Sequence, residues 1–312
     1  MMNRRVLLHV GFHKTGTTFL QDHVFNHPGR GFSSPWSIGG GEAVEHFVLT
    51  HAARFQAQEI NREFFSAMEE LHLDEKLMPV ISHEDLSGYP QSFRYYGSTV
   101  AKRLHETFPN AQILIGVREQ KSILRSMWGE YIRSDGERTI QEYFGDGVER
   151  LGFRPICRFD HFEYPLLINQ YIELFGRDRV QVLPLELLRN DSLAYEQVVH
   201  DFCDTGLNAE IAHPVSNVGL GARTLSIQRV LNRITKIPWL WSGDYDSLPL
   251  VNRVKLRMVR ELERAIPKSW HEKEDKKIRD YIAEATGDYF RESNRELAEL
   301  TGYDLASLGY DV

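Results

Sequence analysis

Cysteine is almost missing from this chain: Cys157 and Cys203 are the only two among 312 residues. Two thiols cannot make a disulfide framework at this length, so a reducing, cytoplasmic setting is expected. Long apolar runs are missing too. No stretch approaches the roughly 20 residues that a membrane-spanning helix needs. The opening segment has a basic Arg4-Arg5 pair, but its apolar run, Val6–Val10, is too short for the core of a signal peptide and reads as a buried first strand. A basic excess is the third absence. Lys and Arg number 37 against 44 Asp and Glu, a net charge of -7. Bulk charge therefore gives no hold on nucleic acid or an anionic membrane, and any anionic ligand needs a local site. There is no internal repeat, no low-complexity segment and no clear linker. No Cys/His grouping suggests zinc, and His46 and His51 lack metal-site spacing on a helix.

What is present suffices for a sizeable core, with 42% hydrophobic and 26% charged residues. Four short apolar runs, Val6–Val10, Pro79–Ser82, Ala111–Val117 and Val180–Leu185, fit buried parallel strands. Helical patterns fill much of the remainder, over 17–26, 44–77, 96–108, 121–133, 160–176 and 194–203. In 121–133, Ile123, Met127 and Tyr131 share one face. Residues 29–45, rich in Gly, Ser and Pro, read as a loop. From about 223 onward the chain reads as helical and heavily charged. In Arg253–Lys277 the basic positions alternate with acids, as on a solvated helix face. Strands alternating with helices predict an α/β fold, a three-layer sandwich around a mainly parallel sheet. We expect one domain over 1–312, with a core to about 235 and a helical C-terminal extension over about 236–312.

Three polar clusters follow strand ends, at 11–18, 82–85 and 118–126. Right-handed crossovers between parallel strands bring such ends to one edge, where ligands bind. The first cluster reads Gly11-Phe12-His13-Lys14-Thr15-Gly16-Thr17-Thr18. Its glycines have the G-x-x-x-x-G spacing of a loop that wraps a phosphate in backbone N–H groups at a helix start. It departs from the nucleotidase loop, which has lysine directly after the second glycine. Here Thr17 takes that place, and Lys14 stands inside the loop. No acidic residue closes an apolar strand to hold magnesium, Glu119 being the nearest, so a triphosphate site is poorly provided for. The cluster at 118–126 offers Arg118 at the strand's end and Ser126 in the following helix. A guanidinium forks onto phosphate, and a helix-borne hydroxyl completes the contact.

Taken together these residues resemble the PAPS-dependent sulfotransferase family, where PAPS is 3′-phosphoadenosine 5′-phosphosulfate. The stretch His13-Lys14-Thr15-Gly16-Thr17-Thr18 looks like that family's 5′-phosphosulfate loop. Arg118 and Ser126 look like its 3′-phosphate site. Val180–Leu188 and the following helix are similar to its later strand and helix, and Asn294–Tyr310 resembles the tail of bacterial members. The strong similarity covers about 40 residues. The family's glycine-rich loop near the adenosine has only Ser216–Arg223 as a counterpart. The resemblance implies a P-loop-like fold, PAPS as donor, no metal, and in-line transfer to a hydroxyl or amine. The acceptor is left open among carbohydrates, lipid headgroups and small alcohols, with 29–45, 134–160 and the C-terminal helices as the segments that would select it.

Such a transfer needs the growing charge on the leaving phosphate stabilised, which falls to Lys14, the loop amides, Thr17 and Thr18. It also needs a general base. Glu84, ahead of His83, directly after the second predicted strand, is the first candidate; His13 is a lesser candidate and reads rather as a polar residue shaping the pocket. Two other readings stay open at this point: a P-loop kinase acting on a small molecule, and a non-catalytic module that binds PAP, the desulfated nucleotide.

Overall fold

The computed structural model describes residues 4–152, 154–206, 219–235 and 250–312. The chain divides into two compact units, one made of Met1–Gln120, His161–Pro214 and Phe290–Val312, the other of Lys121–Asp160 and Val215–Tyr289.

The first unit is built on five parallel strands, β1 (Leu7–His9), β2 (Phe32–Ser33), β3 (Met78–Ser82), β4 (Gln112–Val117) and β5 (Val180–Pro184), in the order β2-β3-β1-β4-β5. Leu7, Leu8 and His9 pair with Val80, Ile81 and Ser82 on one side and with Gln112, Ile113 and Leu114 on the other. Four of these strands lie where the apolar runs predicted them. β2 was not expected, since it falls inside the Gly/Ser/Pro stretch read as loop. Phe32 and Ser33 pair with Met78 and Pro79, and both are buried. Two residues are too few to give a periodic signal.

Both faces of the sheet are covered, which explains why the strands read as unbroken apolar runs. Leu7, Val80, Leu114 and Leu183 face a core with Leu20, Val24, Tyr195, Val199 and Cys203. Their alternates Leu8, Ile81, Ile113, Ile115 and Val182 are buried as well, as the two-residue period of a strand requires.

The helices of this unit are α1 (Thr17–Leu20), α2 (Gly41–Val44), α3 (Ala57–Glu70), α4 (Gly97–Thr107) and the first residue of α5 (Gln120–Arg133). α6 (Ile140–Phe144) belongs to the other unit, and α7 (Tyr164–Phe175), α8 (Leu185–Asn190) and α9 (Ser192–Cys203) return to the sheet. π-helical turns extend α1 over Gln21–Phe25 and α2 over Glu45–Leu49. The single helix expected over 44–77 is therefore two. His51 ends the first by accepting from Ala53 N–H in its own turn, and α3 starts at Ala57.

The second unit is helical among the described residues. It comprises the rest of α5, α6, α10 (Ala222–Thr235), α11 (Leu250–Ala265) and α12 (Lys268–Thr286). Ile123, Met127 and Tyr131 are buried on one face of α5. Asn232 Nδ2 donates to the carbonyls of Ile132 and Gly136 at 2.7 and 2.8 Å, which binds α10 to the end of α5. The last helix, α13 (Arg291–Thr301), and the tail to Val312 belong to the first unit.

Candidate functional site

Because the five strands run in parallel, their carboxyl ends share an edge. β1 sits in the middle, and the chain fills one side of it with β2 and β3 before crossing to β4 and β5 on the other. Between β1 and β4 the direction of winding reverses, the point at which open parallel sheets generally bind ligands. Gly11–Thr18 leaves β1 at this point, and Arg118 leaves β4.

The loop is anchored and bent by its sequence. Val10 and Phe12 N–H donate to the carbonyls of Leu114 and Gly116 at 3.0 and 3.1 Å. Thr15 Oγ1 donates to the Phe12 carbonyl at 2.5 Å, closing the turn. Lys14 and Gly16 both adopt left-handed backbone, at φ 65 and φ 89. Gly16 suits that region, and its surroundings also demand a glycine: a Cβ would come within 2.9 Å of Leu185 Cδ1. Strain at a lysine is stored where the surroundings fix it. α1 then begins at Thr17 with no side-chain cap. Phe19 and Leu20 N–H donate to the Gly16 carbonyl at 2.9 and 3.3 Å, so the amides without a partner inside the helix are those of Thr17 and Thr18, where the dipole favours an anion. Thr17 Oγ1 is buried without a hydrogen-bond partner; Thr18 is exposed.

Arg118 is tied to this loop. One guanidinium nitrogen donates to the Lys14 carbonyl at 3.3 Å, while Nε is buried with no partner. Tyr164, the first residue of α7, donates its hydroxyl to the Arg118 carbonyl, and Phe12 packs edge-on against the Tyr164 ring at 4.8 Å. Burial, with the nearby positive charge of Arg189, pushes the Arg118 guanidinium below its ordinary value, and Glu186 acts the other way. Glu186 is itself held in place. It accepts from Glu119 N–H at 3.1 Å and from the Tyr310 hydroxyl of the C-terminal tail at 3.1 Å. Ser126 stands on α5 in the part that belongs to the second unit.

The strand end of β3 supplies the remaining groups. Glu84 begins a 3₁₀ turn, Glu84–Ser87, so the alternation expected for adjacent strand residues does not apply to His83 and Glu84. His83 Nδ1 accepts from Asp85 N–H at 3.1 Å. His13 Nε2 lies 3.0 Å from the Gly88 carbonyl and 3.3 Å from Asp85 Oδ1. Burial pushes the His13 imidazole down, against the pull of Glu84 and Asp85. It pushes the Asp85 carboxyl up, against His13 and His83. Behind them, fully buried His9 donates to or accepts from Ser82 Oγ at 2.8 Å through Nδ1, and burial pushes its imidazole down to about 4.

The structure thus gathers His13, Lys14, Thr15, Gly16, Thr17, Thr18, Arg118, His83 and Glu84 at one sheet edge within the first unit. Sequence reasoning passed over Asp85, Gly116, Tyr164 and Glu186 there. Gly116 had a signal, a glycine inside an apolar strand, which marks a close approach of backbone. The expected adenosine loop Ser216–Arg223 lies in part outside the described residues. Among the described residues no group of three or more His, Cys, Asp or Glu is placed to hold a metal ion, and no helix is long and apolar enough to cross a membrane.

No family model and no curated protein matches the chain. Solved structures do. A sulfotransferase from Alicyclobacillus acidocaldarius aligns with a TM-score of 0.50 at 18% identity, over 76% of this chain and 98% of that one. The sulfotransferase domain of the curacin biosynthetic pathway aligns at 0.44 and 14% identity, over 69% and 79%. That of the Synechococcus PCC 7002 olefin synthase aligns at 0.38 and 11%, over 85% and 96%. Identity this low speaks to fold alone. The chain has the α/β fold of a bacterial sulfotransferase.

Proposed function

We propose that this protein is a sulfotransferase that moves the sulfuryl group of PAPS to a hydroxyl or amine. The observation that carries the reading is the Gly11–Thr18 loop: left-handed Lys14 and Gly16, an uncapped helix start, and a buried, unpartnered Thr17 hydroxyl, all beside Arg118. The Thr17 hydroxyl and Arg118 Nε are buried donors without an acceptor among the described residues, and a phosphate oxygen is the acceptor they suit. In this reading the loop amides, Thr17 and Thr18 hold the 5′-phosphosulfate. Lys14 neutralises the charge that grows on the bridging oxygen as the sulfur–oxygen bond breaks. Arg118, whose Nε has no partner among the described residues, takes the 3′-phosphate. Ser126 is assigned to the same phosphate on its sequence position after Arg118. Glu84 and His83 stand on the acceptor side as catalytic groups. The donor binds without a metal, which separates this reading from a Mg²⁺-dependent kinase. A carbohydrate, lipid headgroup or small alcohol would supply the acceptor group.

The test is direct. PAP should bind the wild-type chain in calorimetry, and labelled sulfate should pass from PAPS to an acceptor. Lys14→Ala should lower that transfer by about 10²-fold or more. Arg118→Ala should weaken PAP by about tenfold or more, the scale of a lost charge-assisted contact. Undiminished transfer by Lys14→Ala would remove the lysine from the mechanism. No PAP binding together with Mg²⁺-dependent ATP turnover would replace the whole reading with a kinase.

A further inference from the structure

The hydrogen bonds around the loop fix which nitrogen of each histidine carries a proton. The Gly88 carbonyl only accepts, so the His13 nitrogen facing it, Nε2, must carry hydrogen. Asp85 Oδ1, 3.3 Å from the same nitrogen, reinforces that choice. In neutral His13 the bare lone pair is therefore on Nδ1, which makes no hydrogen bond among the described residues and is not among the buried atoms shut off from partners. His83 has the opposite arrangement. Its Nδ1 accepts from Asp85 N–H, so its lone pair is spent on the backbone, and Nε2 presents a proton. His9 is sealed in the core, with Nδ1 engaged by Ser82. Of these three imidazoles, His13 alone offers an uncommitted basic nitrogen; a fourth, His161, packs edge-on against Phe12 of the loop, but its Nε2 is buried away from an incoming acceptor.

Resting on the sulfotransferase reading, we propose that His13 Nδ1 is the base that takes the acceptor's proton, and that Asp85 and the Gly88 carbonyl are positioning groups that hold its tautomer. The acceptor oxygen bonds to sulfur while its proton passes to Nδ1. The bond from sulfur to the bridging oxygen breaks, and its electron pair stays on the 5′-phosphate beside Lys14. The imidazolium formed is stabilised by Asp85 across Nε2–H, the relation by which a buried carboxylate supports a catalytic histidine. The charged groups acting on the ring are Glu84 and Asp85, which favour its protonation, and Lys14, which opposes it. Tyr89 packs beside it with ring centroids 5.5 Å apart. His83 and Arg94 act in turn on Asp85. Burial outweighs the carboxylates and keeps the imidazole neutral below its ordinary range, so the lone pair is available at neutral pH. This gives Glu84 a supporting electrostatic part and His83 the part of an N–H donor.

Two measurements test the assignment, and neither needs the natural acceptor. In ¹⁵N-histidine NMR at pH 7, His13 should show a protonated Nε2 and a bare Nδ1. A protonated Nδ1 would overturn the proposal. With [³⁵S]PAPS and water as acceptor, His13→Gln, whose amide can still donate to the Gly88 carbonyl, should lower kcat for sulfate release by about 10²-fold or more. PAP affinity should stay within about threefold, and the acid limb of the kcat–pH profile should disappear. Asp85→Asn should move that limb to lower pH, because the carboxylate favours the protonated ring; a role confined to packing would leave the limb in place. Wild-type kcat in His13→Gln, or an acid limb that vanishes in Glu84→Gln and persists in His13→Gln, overturns the assignment while leaving the sulfotransferase reading intact. A wild-type chain that neither binds PAP nor releases sulfate from PAPS overturns both.

Discussion

Gly116 stands inside β4, where a side chain would ordinarily add packing. A Cβ there would sit 2.7 Å from Thr15 Oγ1 and 3.2 Å from Thr15 Cβ. The strand thus omits a side chain so that the loop can lie against it, and the same residue's carbonyl receives Phe12 N–H. Gly116→Ala must displace Thr15, whose hydroxyl closes the turn onto the Phe12 carbonyl. We expect PAP affinity to fall by about tenfold, with a loss of about 1–3 kcal/mol in stability from overpacking, read by calorimetry and by thermal unfolding. Unchanged affinity would mean that the loop does not depend on its seat against β4. At this scale the sequence was readable wherever a residue follows directly on a strand. Lys14, Gly16 and Arg118 each owe their place to one neighbouring segment. The Arg118–Lys14 contact and the opposed tautomers of His13 and His83 depend on which strands pair with which, and that is written in no single segment.

Among the elements, β2 shows the same limit. Its two residues lie at the end of the sheet order, after a stretch in which Gly, Ser and Pro dominate. What fixes it there is partly a buried ion pair. Arg30, in the turn just before β2, is bonded through its guanidinium to Glu196 of α9, and the two are 2% and 0% exposed. A charge removed from water this completely is tolerable only with its partner, so the two mutations should be far from additive. Arg30→Met leaves Glu196 buried without its guanidinium and should cost about 3–5 kcal/mol in urea unfolding. Arg30→Met with Glu196→Leu should recover most of that loss, since a well-packed apolar pair of similar volume is often nearly neutral. Equal losses in the single and double variants would show that the pair is not what holds β2 to α9. By contrast, the four longer strands and α4, α5, α7 and α9 were legible in advance because each carries its own periodic pattern. The break between α2 and α3 was not, because Thr50 and His51 carry no strong helix-stopping signal such as proline or glycine.

For the molecule as a whole, the buried histidines set the response to acid. His9 is 1% exposed and has its imidazole pushed down to about 4. His13 and His200 are shifted in the same direction, chiefly by burial. A histidine lowered in the folded state takes up its proton first in the unfolded chain. Its stabilising contribution is complete above the ordinary value, near 6.5, and is lost as pH falls toward the folded value. For His9 that window runs from 6.5 down to about 4. Asp85, raised by burial, runs the other way and offsets part of the loss only at the acidic end. From the His9 shift alone, stability at pH 5 should be about 2 kcal/mol below that at pH 7, and the other two histidines should add to it. Urea unfolding at the two pH values measures the difference. His9→Gln retains a polar partner for Ser82 but cannot titrate. Its pH dependence should therefore be flatter by about the same 2 kcal/mol, while any loss of stability at pH 7 comes from altered packing rather than from titration. The sheet centre and the proposed base would then answer to one variable. Acid that begins to protonate His13, and so slows transfer, would also be drawing the first strand toward unfolding through His9. An H9Q chain with the wild-type pH slope would break that link.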